Sequence, residues 1–490
     1  MGAAIGAKLA SRRAVAFRRE EGAIAVMFAG SLIVIMGFMG LALSLSMLYN
    51  RKVEMQNVAS TVALAAAAEL NGTPAGVTMA LRRASERLAT LPGSVVGGMS
   101  YMYSSRTMEW SDAAIEFGRT PTGPWVSAAT ALAQPGGLSY VQVDTKGLDA
   151  EYGRVNTVFM SVLDADSAVV STSGHAIAGR TAIRVTPMGI CAMHSEAGRD
   201  RGAGELEEYG FRRGVSYDLM QLNPNSNAAG ATFLINPFVS PGTPGIVQAA
   251  SVDTVKPFIC TGTMAMARVT GGEIVVSSPF PLADLHSSFN SRFESYTPPC
   301  RPETAPPDTN IKQYTYDDGS VPWMEVTPGG QAAAQSLAGG KLGTVAGPEA
   351  TPSTTTDKMF GPLWSYAKAA RYSSFSAGSP EPASGYGTFG SGDWATLYNP
   401  GKPKQKSYPP ATPYVQTSAQ YSTKPVGIGV QGRRVLNIPL LACPVTGNRA
   451  TVLAVGKFFM TVEAKPNTLY GEFAGIASEQ SLGALIKLYP

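Results

Sequence analysis

Apolar and polar positions divide the chain into three unlike stretches. The run from Gly22 to Asn50 carries no charge, and no polar face interrupts it. From Arg51 to about residue 91, apolar residues recur at three- and four-residue steps. From about residue 97 the pattern shortens to the two-residue alternation of strands, punctuated by Gly and Pro.

A hydrocarbon core takes about 20 helical residues, so the first stretch spans it with length to spare. A secretory apolar segment runs only about 7–15 residues and ends at a small-residue cleavage site. The pattern therefore predicts a basic tail over 1–21 and a transmembrane helix over 22–50. Lys8, Arg12, Arg13, Arg18 and Arg19 precede the span, while only Arg51 and Lys52 follow it. That asymmetry predicts a cytoplasmic N-terminus and places the remaining chain on the other side of the membrane.

Beyond Lys52 the helical period continues. Met55, Val58, Val62 and Ala66 share one narrow face with Ala59, and Glu69 ends the stripe. Asn71-Gly72 and Pro74 stop this helix, and "VTMALRRASERLATL" (77–91) predicts a second amphipathic one. Together they make a helical stalk over 51–95. Its stripe of small residues fits close approach to a neighbouring helix of another protein, and equally fits docking on the chain's own domain.

Residues 96–490 read as one β-rich domain, giving an α+β chain overall. "SYVQVDTKG" alternates, and "NTVFMSVLDADSAVVSTSGHAIAG" gives two β-rich runs. "AIRVTPMGICAMH" and "RRVLNIPLLACPV" are similar apolar strands, each reaching a Pro and then a Cys. "NRATVLAVGKFFMTVEAK" and "TLYGEFAGI" add two more, so strands far apart in sequence complete one sheet. Residues of about 320–425 are rich in Pro, Gly and Ser and read as long loop insertions. Within them, "KMFGPLWSYAKAARYSSF" (358–375) predicts one helix.

Composition changes this picture little. Charged residues make up 15% of the chain, with 53 Gly and 35 Pro. The net charge of +4 comes from residues 1–52, which carry +5 against −1 for the rest. Nucleic acid is therefore not an expected partner. All four cysteines (Cys191, Cys260, Cys300, Cys443) follow the span, in the compartment where disulfides persist. Four cysteines allow three pairings. Cys191–Cys443 is favoured because both end similar strands, and Cys260–Cys300 because both stand at strand or loop ends.

Motifs for chemistry are absent or lack their context. "GYGTFG" has dinucleotide spacing at Gly385, Gly387 and Gly390, but no strand precedes it and no helix follows. "AGGKLG" has Leu342 where a phosphate loop needs Ser or Thr. His175, His194 and His286 lie in separate segments without metal-ligand spacing. The expectation is a protein that is no enzyme and holds no cofactor or metal.

The N-terminal segment up to Leu70, "EEGAIAVMFAGSLIVIMGFMGLALSLSMLYNRKVEMQNVASTVALAAAAEL" above all, resembles TadE/TadG-like proteins of bacterial tight-adherence (Tad, or Flp) pilus systems. Shared are a Gly after charged residues, the apolar span, a Tyr-x-Arg exit at Tyr49 and Arg51, and Gln-Asn before an Ala-rich helix. Pilins of such systems are processed after a Gly followed five residues on by Glu. Here Gly22 is followed by Met27, which favours the TadG-like members that keep their anchor. "VTPMGICAM", "FNSRFESYTPPC" with "PPDTN", and the closing "RRVLNIPLLAC…VGKFFMTVEAK…LYGEFAGI" resemble the periplasmic part of the same family. Some members carry a von Willebrand A-type domain, but "DLHSS" at Asp284 and "DADSA" at Asp164 depart from its metal motif.

The resemblance implies a single-pass inner-membrane protein with a periplasmic body, a structural component of pilus assembly and adhesion. Its partners would be other pilus-assembly proteins or pseudopilins, met through the N-terminal helix. The alternatives are a membrane-tethered periplasmic binding module or hydrolase, and a processed minor pseudopilin.

Overall fold

The computed structural model describes residues 21–90, 94–95, 98–101, 104–157, 169–180, 182–225, 231–245, 250–266, 268–314, 334–336, 342–344, 365–393, 397, 411–478, 481–483 and 486–489. One helix, α1 (Glu21–Ala67), runs without a break through both the charge-free stretch and the striped one. Its residues are good helix formers, and neither Pro nor a Gly pair interrupts it. α2 (Pro74–Thr90) folds back on α1, with Pro74 at its first turn, where a missing N–H costs nothing. Gly72 makes the reversal with φ of +76°, and a side chain there would collide with the carbonyl of Pro241.

After the helices come three short antiparallel strands, β1 (Ser94–Val95), β2 (Gly98–Tyr101) and β3 (Ser104–Met108). Then β4 (Ile115–Gly118), β5 (Trp125–Ser127), the short helix α3 (Ala128–Ala133) and β6 (Tyr140–Asp144) follow. β7 (Arg154–Asn156) and β8 (Val169–Ser171) pair as a hairpin, and β9 (His175–Arg180) returns to β6. With the last strand of the chain, Ile486–Tyr489, strands β9, β6, β4 and β5 make a five-stranded antiparallel sheet. Val141 and Val143 of the alternating β6 face one core with Phe117, Ala176 and Ala178.

The second sheet draws on strands from widely separated parts of the sequence. β10 (Met188–Cys191) precedes a small three-stranded sheet of β11 (Arg199–Asp200), β12 (Leu206–Glu208) and β13 (Phe211–Arg212). β14 (Ser216–Asp218), β15 (Thr232–Ile235), α4 (Val252–Thr261), β16 (Glu273–Ser277) and α5 (Leu282–Phe289) come next. β17 (Ala334–Ser336) and β18 (Leu342–Thr344) form a separate pair. The chain closes with β19 (Val435–Leu441), β20 (Arg449–Met460), β21 (Tyr470–Ile476) and β22 (Ile486–Tyr489). The order is β14-β21-β20-β16-β15-β10-β19, and β19 also pairs with β20, so the sheet returns on itself.

The two Pro-then-Cys strands, β10 and β19, lie side by side in parallel, with Cys191 opposite Leu441. One face of the sheet packs Ile190, Leu436, Ile438, Phe458 and Phe473 against Val255, Ile259, Leu285 and Phe289 of α4 and α5. The other buries Phe233, Ile235, Ile274, Val276 and Val452 around Cys191.

The helix expected over 358–375 is not formed among its described residues, 365–375. Ala370 bridges Thr388, and Tyr372–Ser374 make a single 3-10 turn. The amides of Ser365, Tyr366 and Ala367 are bound by the Glu472 carboxylate, which holds the backbone out of a helical ladder.

Candidate functional site

α1 changes character along its length. Val26, Met27, Phe28, Ile33 and Phe38 stand well out into the surroundings, and no charge lies between them. This is the one helix among the described residues that is long and apolar enough to cross a membrane. From Arg51 on, the same helix is core. Arg51 is buried beside Glu54 at 3.1 Å, and Met55, Val58, Ala59, Val62, Ala63 and Ala66 are closed off from solvent. They pack on the β6 and β9 faces and on Val77, Ala80 and Ala84 of α2.

The fit is close enough to be steric. A side chain on Gly174 would stand 2.1 Å from the Met55 carbonyl oxygen, so β9 begins where only Gly allows contact with α1. Lys52 donates to the Ser173 carbonyl, and the Gln56 amide exchanges hydrogen bonds with the backbone of His175. At the helix end Glu69 binds both Arg83 of α2 and Arg268 of the second-sheet region, at 3.4 and 3.0 Å. Asn71 adds a bond to the Thr270 carbonyl. Thus α1 is gripped by both parts of the body.

The loops of the body are held by buried charge. Arg434 is fully buried among Phe293, Tyr314 and Phe459, and its guanidinium donates to the carbonyls of Asn310, Met460 and Thr461. Asp308 accepts from the Arg434 amide and the Tyr414 hydroxyl, both at 2.8 Å. Arg292 and Arg433 donate to the carbonyls of Ile259, Cys260 and Thr261 at the C-terminal end of α4, where cations suit the helix dipole. A second set joins the β11–β13 sheet to the distant segment that holds Glu381. Glu205 takes a two-pronged contact from Arg212, and Arg213 bridges Glu208 and Glu381.

Three buried carboxyls among the described residues carry raised pKa values, and one is Glu207, which burial pushes up beside Arg199. Burial pushes Asp218 up to about 6, against amide bonds from Met220 and Leu469. Burial also raises Glu472, against the amides of residues 365–367 and the Ser365 hydroxyl. Asp218 and Glu472 hold backbone, and each is bound where it stands.

The residues singled out from sequence fall as follows. Gly22 lies in the first turns of α1, and Met27 is exposed on it. Ala59 and Ala66 face the chain's own core, so the stripe is not free for a neighbouring helix, and partner contact along it is corrected to intramolecular packing. Cys191 and Cys443 are bonded, with Cα atoms 5.6 Å apart, and Cys260 and Cys300 likewise at 5.4 Å. His194 accepts from the Glu196 amide, His286 contacts the Ala283 carbonyl, and His175 sits at the start of β9. The structure does not bring them together. "GYGTFG" is a loop whose Thr388 bridges Ala370, and "DLHSS" lies inside α5. "DADSA" and most of "AGGKLG" lie outside the described residues. Among the described residues no group of three His, Cys, Asp or Glu side chains is placed to hold a metal.

Sequence reasoning misses Arg434, Asp308, Arg292 and Glu472. Each stands inside a stretch that reads only as strand or as a Pro-rich turn, and a charge there is the available signal.

Residues 22–69 match the family of putative Flp pilus-assembly TadE/G-like proteins. The match falls on the N-terminal segment. Its boundaries take in the exposed apolar part of α1 and the part buried in the body, up to Glu69, where the contacts to Arg83 and Arg268 are made. No curated protein and no solved structure matches the chain.

Proposed function

We propose that the chain is a membrane-anchored structural component of a bacterial Tad/Flp-type pilus-assembly machinery. In this reading α1 holds it in the inner membrane, with the N-terminus cytoplasmic and the body in the periplasm. The body works by binding other assembly proteins, and no step of catalysis is assigned to it. One observation supports this most: the TadE/G-like segment is at once the apolar stem and the central helix of the body's first core. Such a helix couples a membrane position to a folded surface. The buried arginines and carboxylates support the same reading, because each is bound to backbone or to an opposite charge.

The test is a deletion strain complemented with the wild-type gene or with single His175→Gln, His194→Gln and His286→Gln variants. Pilus counts should fall on deletion and return with all four genes, with the protein in the inner-membrane fraction at full length. A histidine variant that stays abundant but restores no pili would move the reading to an enzyme.

A further inference from the structure

The apolar part of α1 is longer than a bilayer needs. At about 1.5 Å per residue, the charge-free run from Gly22 to Asn50 measures about 43 Å, against about 30 Å of hydrocarbon. The excess of about 13 Å corresponds to about nine residues, roughly 42–50. In that stretch and just before it α1 is two-faced. Gly40 and Ser44 are buried and Leu41, Met47 and Leu48 half-buried, while Leu43, Leu45 and Tyr49 are 56%, 50% and 69% exposed. The exposed face continues that of Ile33, Met36 and Phe38 with no polar residue between except Ser46. Tyr49 ends it, an aromatic with a polar tip of the kind that settles at headgroup depth.

We infer that the body does not stand off the membrane on a free stalk but is seated on it. The uncovered face at Leu43 and Leu45 lies in lipid, and Tyr49 lies among the headgroups. This rests on the membrane-anchor reading and adds the lipid surface as a direct partner of the body. Continuity with the apolar span selects lipid as the occupant. Strands β7 and β8 lie beside this part of the body. β7 packs against α1, and two residues after β8 the Ser173 carbonyl holds Lys52. Val169 of β8 is exposed there. A tilt of the span gives the same result, since tilting a helix built rigidly into the body lowers one side of that body onto the surface.

Because all four native cysteines are paired, an introduced one is the sole reactive thiol. Full-length protein with Ile33→Cys, Leu45→Cys, Tyr49→Cys or Val415→Cys is spin-labelled and placed in phosphatidylethanolamine–phosphatidylglycerol vesicles. Collisions with oxygen, which concentrates in lipid, are compared with collisions with a water-soluble nickel chelate. Labels at Ile33→Cys and Leu45→Cys should favour oxygen, Val415→Cys the chelate, and Tyr49→Cys should fall between. If Leu45→Cys behaves like Val415→Cys while Ile33→Cys favours oxygen, the seating is wrong and the anchor stands. If Leu45→Cys is shielded from both reagents, protein covers the face and the seating is again wrong. If Ile33→Cys favours the chelate, the anchor reading itself fails.

Discussion

Ala59 shows how little a side chain's type says about its partner. A small residue on a narrow stripe suits a helix of another protein or a sheet of its own, and only the position of β6 and β9 decides between them. Because Ala59 is fully buried in the chain's own core, Ala59→Leu should overpack it and cost about 1–3 kcal/mol. Thermal unfolding of the purified protein checks this; an unchanged melting temperature would mean that the stripe is open. Asp218 gives a pH signature. Its folded pKa of about 6 lies above the ordinary 3.8, so its contribution to stability is fullest below about pH 4 and is lost as pH rises through about 6. Glu472, also raised by burial, acts in the same direction. Asp218→Asn removes the Asp218 part. The wild type's stability relative to that variant should therefore fall as pH goes from 4 to 7, by up to about 3 kcal/mol, read from denaturant midpoints at each pH.

At the scale of elements, regular periodicity is readable in the sequence and irregular loops are not. The stripe from Met55 to Ala66, the alternation of β6, and the apolar runs of β10, β19, β20 and β21 each follow from the spacing of apolar residues. The pairing of β10 with β19 does not follow, since register between strands so far apart in sequence is set by which faces are buried and not by either strand alone. The 358–375 segment misleads for a related reason. Its Ala and Lys favour helix locally, but the buried carboxylate of Glu472, distant in sequence, takes its amides. The charged hub of Asp308 and Arg434 is illegible because its members lie 126 residues apart. The Cys260–Cys300 bridge ties α4 to the loop that leads to this hub. Closing a loop of 40 residues is worth about 4 kcal/mol in chain entropy. Cys260→Ala with Cys300→Ala should therefore lower stability by about that much, and a denaturation curve unaffected by the change would show that the bridge carries no such constraint.

For the whole molecule, the central claim is that the apolar span of α1 and the body are one mechanical piece. α1 passes from exposed apolar surface to buried core between Gly40, where one face is first covered, and Arg51, and contacts at its far end join it to the second-sheet region through Arg268 and Thr270. A flexible Gly-Ser linker of about ten residues placed between Asn50 and Arg51 would leave the apolar span and the core from Met55 on intact, give up the cover over Gly40 and Ser44, and break the rigid connection. Pilus number per cell is the measurement, taken at matched abundance and with the protein still in the membrane fraction. The account predicts a marked loss of pili relative to the wild type; wild-type piliation with the linker in place would contradict it.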